Sequence, residues 1–230
     1  MEAADKGLTE ALRTLSQGSR FIVYSVILEI VAALLIIAAV IGGLLGGLRA
    51  GESYGGLAGV IVSAGLVGLL GLALLLVAFI VYFVGVRRIM VSISEIVAVA
   101  GVGGLAHTGA KAMYYGLIAI LVGIILIILG AGTTLVVAPL AVLAALGLVP
   151  LILGGIALII GQILFGIGVR DLDNKWSGFS TPGLLIAVGT IVSFIPYIGF
   201  IGLIIVVIGF WLLSNSARVV VESYATERAT

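Results

Sequence analysis

Apolar residues in this chain come in long runs, and polar residues fill the short stretches between them. The first run, Phe21–Leu48, begins after Arg20, ends before Arg49 and holds one carboxylate, Glu29. At about 1.5 Å per helical residue it is longer than the roughly 30 Å of a bilayer's hydrocarbon core. Four more runs follow, at about 56–86, 112–129, 139–169 and 183–213. The pattern predicts an all-α fold: a polytopic integral membrane bundle of five transmembrane helices. Runs of about 30 residues reach about 45 Å, so they must tilt, kink or protrude beyond the lipid.

The intervening stretches divide the chain into residues 1–19, a transmembrane domain over 20–214 and a polar tail over 215–230. In the first of these, Leu8, Leu12 and Leu15 recur on one helical face while Lys6, Glu10 and Arg13 fall elsewhere. That spacing predicts a short amphipathic helix lying in the membrane interface, or a frayed polar start with some helix. Residues 89–97 read as a second surface-lying helix, broken by Gly101-Val-Gly-Gly. Gly130-Ala-Gly-Thr-Thr reads as a turn. Thr181-Pro182 is a helix start, with Thr as cap and Pro at the first position, and Pro196 is the expected kink in the fifth span.

The second and fourth spans end alike. Ile80-Val-Tyr-Phe-Val-Gly-Val-Arg87 aligns without a gap on Ile163-Leu-Phe-Gly-Ile-Gly-Val-Arg170. We read two tandem helical hairpins followed by an unpaired fifth helix, a parallel rather than an inverted repeat. Splitting the fourth run at Val149-Pro150 would give six spans. The repeat requires the Arg87 and Arg170 ends on one face, and only five spans satisfies that. Lys and Arg concentrate on the side of the N-terminus, which the positive-inside rule assigns to the cytoplasm of a cell membrane. Five spans then put the C-terminus outside.

Composition narrows the function classes. Hydrophobic residues make up 63% and charged residues 9%, too few charges to solvate a soluble fold of this size. Eleven Lys+Arg against ten Asp+Glu exclude a strongly basic nucleic-acid surface as the main business of the chain. With no Cys and a single His, His107, neither thiolate chemistry nor a His-rich metal site within one subunit is expected. No cofactor is expected. The first run is far longer than a signal-peptide core and is expected to stay as a span.

Few residues can carry function. A carboxylate inside a span costs about 2.5–3.5 kcal/mol on insertion scales and usually faces the bundle or water. Counted from the arginine ends, Glu29, Gln162 and Thr190 lie at a similar depth, roughly 12–14 Å in. They predict one intramembrane polar layer. It is either an ion or proton site with Glu29 titrating, or hydrogen-bonded helix glue. The glue is favoured, because no second acid, His or Lys shares that depth. Gly42, Gly43, Gly46 and Gly47 form a dense cluster that predicts close packing or an oligomer interface. Arg20, Arg87, Arg88 and Arg170 read as topology signals touching lipid headgroups. Gly104-Leu-Ala-His-Thr-Gly-Ala-Lys is a near miss for a phosphate-binding loop: its Lys does not follow Gly directly and no strand precedes it. Asp171 and Asp173 read as a solvated linker, and Trp176, Trp211, Tyr114 and Tyr115 as interfacial anchors.

Gly166-Ile-Gly-Val-Arg-Asp-Leu-Asp-Asn-Lys-Trp, then Gly183-Leu-Leu-Ile-Ala-Val-Gly and Ile195-Pro-Tyr-Ile-Gly-Phe-Ile-Gly, resemble an uncharacterised archaeal multi-pass membrane protein family, domain of unknown function 973. The opening Gly7-Leu-Thr-Glu-Ala-Leu-Arg-Thr-Leu-Ser-Gln-Gly-Ser is similar to that family's start, while Trp176 stands where the family suggests Tyr. The resemblance implies an archaeal, thermophilic plasma membrane and supplies no site residues. The residues themselves predict a non-catalytic structural or accessory subunit, whose partners are membrane lipids and other membrane subunits or itself. The alternative is a small channel or transporter using the layer around Glu29.

Overall fold

The computed structural model describes the backbone of residues 2–50, 54–133 and 141–227, with side-chain surroundings at 6–46, 62, 64–130 and 145–226. Among these residues the chain is helical apart from short connections, with no strand. Its helices are α1 (Glu2–Ala50), α2 (Tyr54–Ala100), α3 (Gly104–Thr133), α4 (Ala141–Arg170), α5 (Ser180–Val192) and α6 (Gly199–Glu227). All but α5 are long and apolar enough to cross a membrane, which makes five, as the hydropathy pattern predicts. Two compact units emerge: the hairpin 21–84, and residues 1–20 together with 85–230.

In the first hairpin, α1 meets α2 through small side chains. A methyl group at Gly71 would lie 2.6 Å from Ile36 Cγ1, whereas at Gly68 and Gly43 it would find only ordinary contacts with Ala39 and Ala64. Within the predicted interface cluster Gly42 is open, with nothing within 4 Å of where a Cβ would stand. Gly46 is half-buried, and Gly47 falls outside the residues whose surroundings are described.

The second hairpin packs backbone on backbone. Gly109, Gly116 and Gly123 on α3 face Gly161, Gly154 and Gly147 on α4. A methyl group at Gly116 would sit 2.7 Å from the Gly154 carbonyl oxygen, and one at Gly147 would sit 2.8 Å from that of Gly123. The glycines on each helix recur every seven residues, so one stripe stays turned toward the partner as two helices cross at a shallow angle. Without hydrophobic driving force between helices in lipid, such close approach and the dispersion it allows hold the pair. The predicted turn at 130–134 does not start where expected, since α3 stays helical through Thr133.

Three expectations change. The helix predicted over 1–19 is not a separate interfacial piece. It is the first part of α1, and Leu8, Leu12 and Leu15 are buried in protein rather than turned to lipid (Leu12 and Leu15 wholly so). Likewise α2 runs on without a break past Arg87, burying Ile89, Ser92, Ile93 and Ile96, until Gly101 and Gly103 take positive φ and end it. Both changes share a cause: helix propagation across the arginines is cheap once an apolar face beyond them finds protein to pack on.

The third change is the largest. The predicted fifth span is two antiparallel helices, not one kinked helix. Pro196 lacks an N–H and Tyr197 has φ 68°, so residues 193–198 form a turn. Glycines let the two arms close: a methyl group at Gly189 would meet Val206 N at 2.7 Å, and one at Gly209 would meet Ile186 N at 2.9 Å. The chain therefore doubles back, and Ser214 Oγ lies 3.0 Å from Ser16 Oγ. N-terminal and C-terminal segments therefore stand side by side at this level, where five full spans were expected to part them.

Candidate functional site

The structure brings together two members of the predicted polar layer. Thr190, 1% exposed, directs its hydroxyl to the Ile186 carbonyl at 2.7 Å and lies 3.3 Å from Gln162 Oε1. Close approach of α4 and α5 makes this possible: a methyl group at Gly166 would stand 2.6 Å from the Gly183 carbonyl oxygen. One residue into the turn, Ser193 Oγ donates to the Thr190 carbonyl at 2.7 Å. The pair is a satisfied hydroxyl–amide contact stitching α4 to α5, with no titratable group of its own.

Glu29 belongs to the first hairpin and is described within it. It is half-buried, on the stripe of α1 that also carries Ala32, Ile36 and Ala39, the residues that meet α2. The register of those contacts sets it level with residues 75–78 of α2, a stretch with no polar side chain. Within that hairpin the carboxyl group has no hydrogen-bond partner among the described residues.

Of the predicted headgroup arginines, Arg87 and Arg170 are exposed. Arg20 and Arg88 are engaged. Arg20 Nε donates to Ser214 Oγ at 3.0 Å, and Arg88 Nη1 donates to Gln17 Oε1 at 2.7 Å. A methyl group at Gly18 would lie 2.9 Å from the Gly85 carbonyl oxygen, so α1 and α2 are in backbone contact here. Between α1 and α6 at this level is an open cavity of about 330 Å³, lined by Arg13, Ser16, Gln17, Arg20, Arg218 and Glu222 among others. Its two walls are nearly two hundred residues apart in sequence. Only the return of α6 joins them, so sequence reasoning missed Ser214 and Arg218. A shallower groove of about 260 Å³ runs past Glu95, His107 and Lys111.

The linker after α4 is built rather than merely solvated. Asp173 Oδ1 accepts from the N–H groups of Phe179 (2.8 Å) and Ser180 (3.1 Å), capping the start of α5. Those donors hold the carboxyl below the usual carboxylate range. Trp176, expected as an anchor, is 8% exposed: it packs on Phe179 and donates from Nε1 to Tyr224 at 3.0 Å. Trp211 and Tyr115 do stand exposed.

Among the described residues no group of three His, Cys, Asp or Glu is placed to hold a metal ion. No family model, curated protein or solved structure matches the chain.

Proposed function

We propose that this is a non-catalytic membrane component that packs against other membrane subunits or copies of itself. One observation carries the reading, the turn between α5 and α6. The thirteen residues of α5 reach about 20 Å from the level of Ser214, short of the roughly 30 Å hydrocarbon thickness. On this reading α5 and α6 form a re-entrant hairpin. Its tip exposes Phe194, Ile195 and Tyr197 inside the bilayer. Within the turn the N–H groups of Ser193, Phe194, Ile195 and Ile198 donate to the carbonyls of Gly189, Ile191, Val192 and Ile195, but non-helical backbone leaves other peptide groups without a helical partner, and at that depth it persists only under a cover of protein or water. A protein cover makes the chain an accessory or self-associating subunit. Charge supports the orientation. Lys6, Arg13, Arg20, Arg87, Arg88, Lys111, Arg170, Lys175 and Arg218 precede, follow or separate the spans on the side shared by both terminal segments, and Arg49 alone ends the outward run of α1. That side is the cytoplasm of the cell membrane, and both terminal segments lie there.

A water cover is the second reading, favoured by the position of Thr190, Gln162 and Ser193 beside the tip: a small channel or transporter with these groups on its path. The chain has no cysteine, so a single Tyr197→Cys substitution reads the tip directly in native membranes. A protein cover predicts protection from membrane-impermeant thiol reagents, and a photo-crosslinker at the same position should capture a polypeptide. Rapid labelling from the aqueous phase would replace the accessory reading with the channel reading. Crosslinks to lipid alone would sink both.

A further inference from the structure

We propose that the cavity between the first turns of α1 and the last turns of α6 is a binding site for a phosphate anion. Three guanidinium groups, from Arg13, Arg20 and Arg218, line it against a single carboxylate, Glu222. Glu222 is already committed, since its Oε1 accepts from Arg218 Nε at 2.9 Å. The cavity thus carries an excess of about two positive charges.

The geometry is that of a fork held open. Arg20 is anchored through Nε on Ser214, which in turn bonds Ser16, so its two terminal nitrogens are left for a ligand. Arg218 Nε donates to Glu222 in a solvent-exposed pair one turn apart on α6. Arg13 makes no hydrogen bond to the protein among the described residues. Guanidinium groups fixed at Nε present their paired terminal N–H donors in the plane that suits bidentate contact with phosphate oxygens. At about 330 Å³ the cavity takes a phosphate or phosphodiester with part of its substituent, and every lining residue but Val221 carries a polar group.

Position gives two sources for that phosphate. Arg20 immediately precedes Phe21, where the first apolar run begins, so the cavity stands at headgroup level, and an anionic lipid reaches it from the side. A soluble phosphate reaches it from the aqueous face. Either ligand clamps the N-terminal segment of α1 to α6, stabilising the folded chain by mass action.

The test uses the full chain purified in a non-ionic detergent, with unfolding temperature as the readout. The probes are short-chain phosphatidylglycerol, short-chain phosphatidylcholine and sodium phosphate, each against sodium chloride at matched ionic strength. Phosphatidylglycerol should raise the unfolding temperature saturably and phosphatidylcholine should not. An equal rise with sodium phosphate assigns the site to free phosphate; no rise with it assigns the site to lipid. The Arg13→Ala/Arg218→Ala variant removes two solvent-exposed side chains and should fold, with apparent affinity at least about tenfold weaker. Arg20→Lys keeps the charge but loses the fork, and should weaken binding while the exposed double variant reports independently of it. A rise that persists undiminished in both variants, or no rise with either anion, overturns the proposal.

Discussion

The two hairpins both close on Gly-Val-Arg, at Arg87 and Arg170, and are held together differently. In the first, among the described residues of 21–84, α1 and α2 meet through alanine and isoleucine side chains, with a tight approach at Gly71. In the second, every seventh residue of each helix is a glycine, and the backbones touch along much of the described length of α3 and α4. Glycine number does not separate them. The first hairpin has the denser cluster, at Gly42, Gly43, Gly46 and Gly47, yet Gly42 stands open. What matters is recurrence at the helical repeat: glycines three or four apart at one end make a local gap, whereas glycines seven apart make a continuous seam.

The largest expected effect comes from breaking that seam. Gly154→Leu would drive a side chain into Gly116 and Ile120, whose backbone atoms would lie 2.5 and 2.8 Å from its Cβ. Backbone cannot yield as a side-chain tip does. Overpacking of this kind costs about 1–3 kcal/mol or more, and here the upper end is expected. Unfolding of the purified protein in denaturing detergent measures it. A loss no greater than that of Leu at Gly68, where the nearest atom is the Ala39 methyl at 3.8 Å, would erase the distinction between the hairpins.

The second effect sharpens the comparison from the other side, because the first hairpin holds the one carboxylate within a predicted span. Glu29→Gln removes the group that is hardest to place in hydrocarbon while keeping its shape. If Glu29 is only tolerated, the variant should insert and fold at least as well, with a gain below the ~2.5–3.5 kcal/mol that insertion scales give a charged side chain, because the amide is itself polar. Reduced folding would mean that the carboxyl makes a contact in the assembled protein that an amide cannot. Ion flux into proteoliposomes, intact for wild type and lost for Glu29→Gln with folding unchanged, would move the protein to the channel reading.

The hairpins also end differently. Beyond Arg87 the helix simply continues, but beyond Arg170 the chain turns and Asp173 ties it to the start of α5. Its carboxyl is held below the ordinary carboxylate value, so its stabilisation is complete above that value, about 4, and is lost as pH falls through the lower folded-state value. Asp173→Asn should therefore lower the unfolding temperature at neutral pH, with the gap to wild type closing in acid. A pH-independent gap would mean that the side chain acts by packing alone.

Hydropathy made the five long helices legible, because a bilayer demands length and apolarity of each helix separately. Thr190 and Gln162 were legible as a pair for a similar reason, since depth along a helix is a count of residues from its charged end. What the sequence did not reveal depends on which helix meets which. Pro196 reads as a kink until Gly189 and Gly209 are seen to admit the returning helix. The partnership of Ser16 with Ser214 and the arginine-lined cavity both follow from that one reversal. The seven-residue glycine recurrence at 109, 116 and 123 and at 147, 154 and 161 was a readable signal, hidden by the denser cluster in the first hairpin.

The smallest expected effect is the most discriminating. Gly42→Ala places a methyl group where nothing lies within 4 Å, in a helix where alanine is the better former by about 1 kcal/mol in water. If that glycine faces only lipid, the change should be neutral or slightly stabilising, within about 0.5 kcal/mol, and should leave native assembly size untouched. If the Gly42–Gly47 cluster is instead where a second chain packs, the same methyl group blocks that approach. Monomer stability would still be unchanged, but the complex extracted from membranes would shrink. Folding and assembly thus separate at a single residue, and an assembly defect at Gly42 would mark the cluster as an oligomer interface.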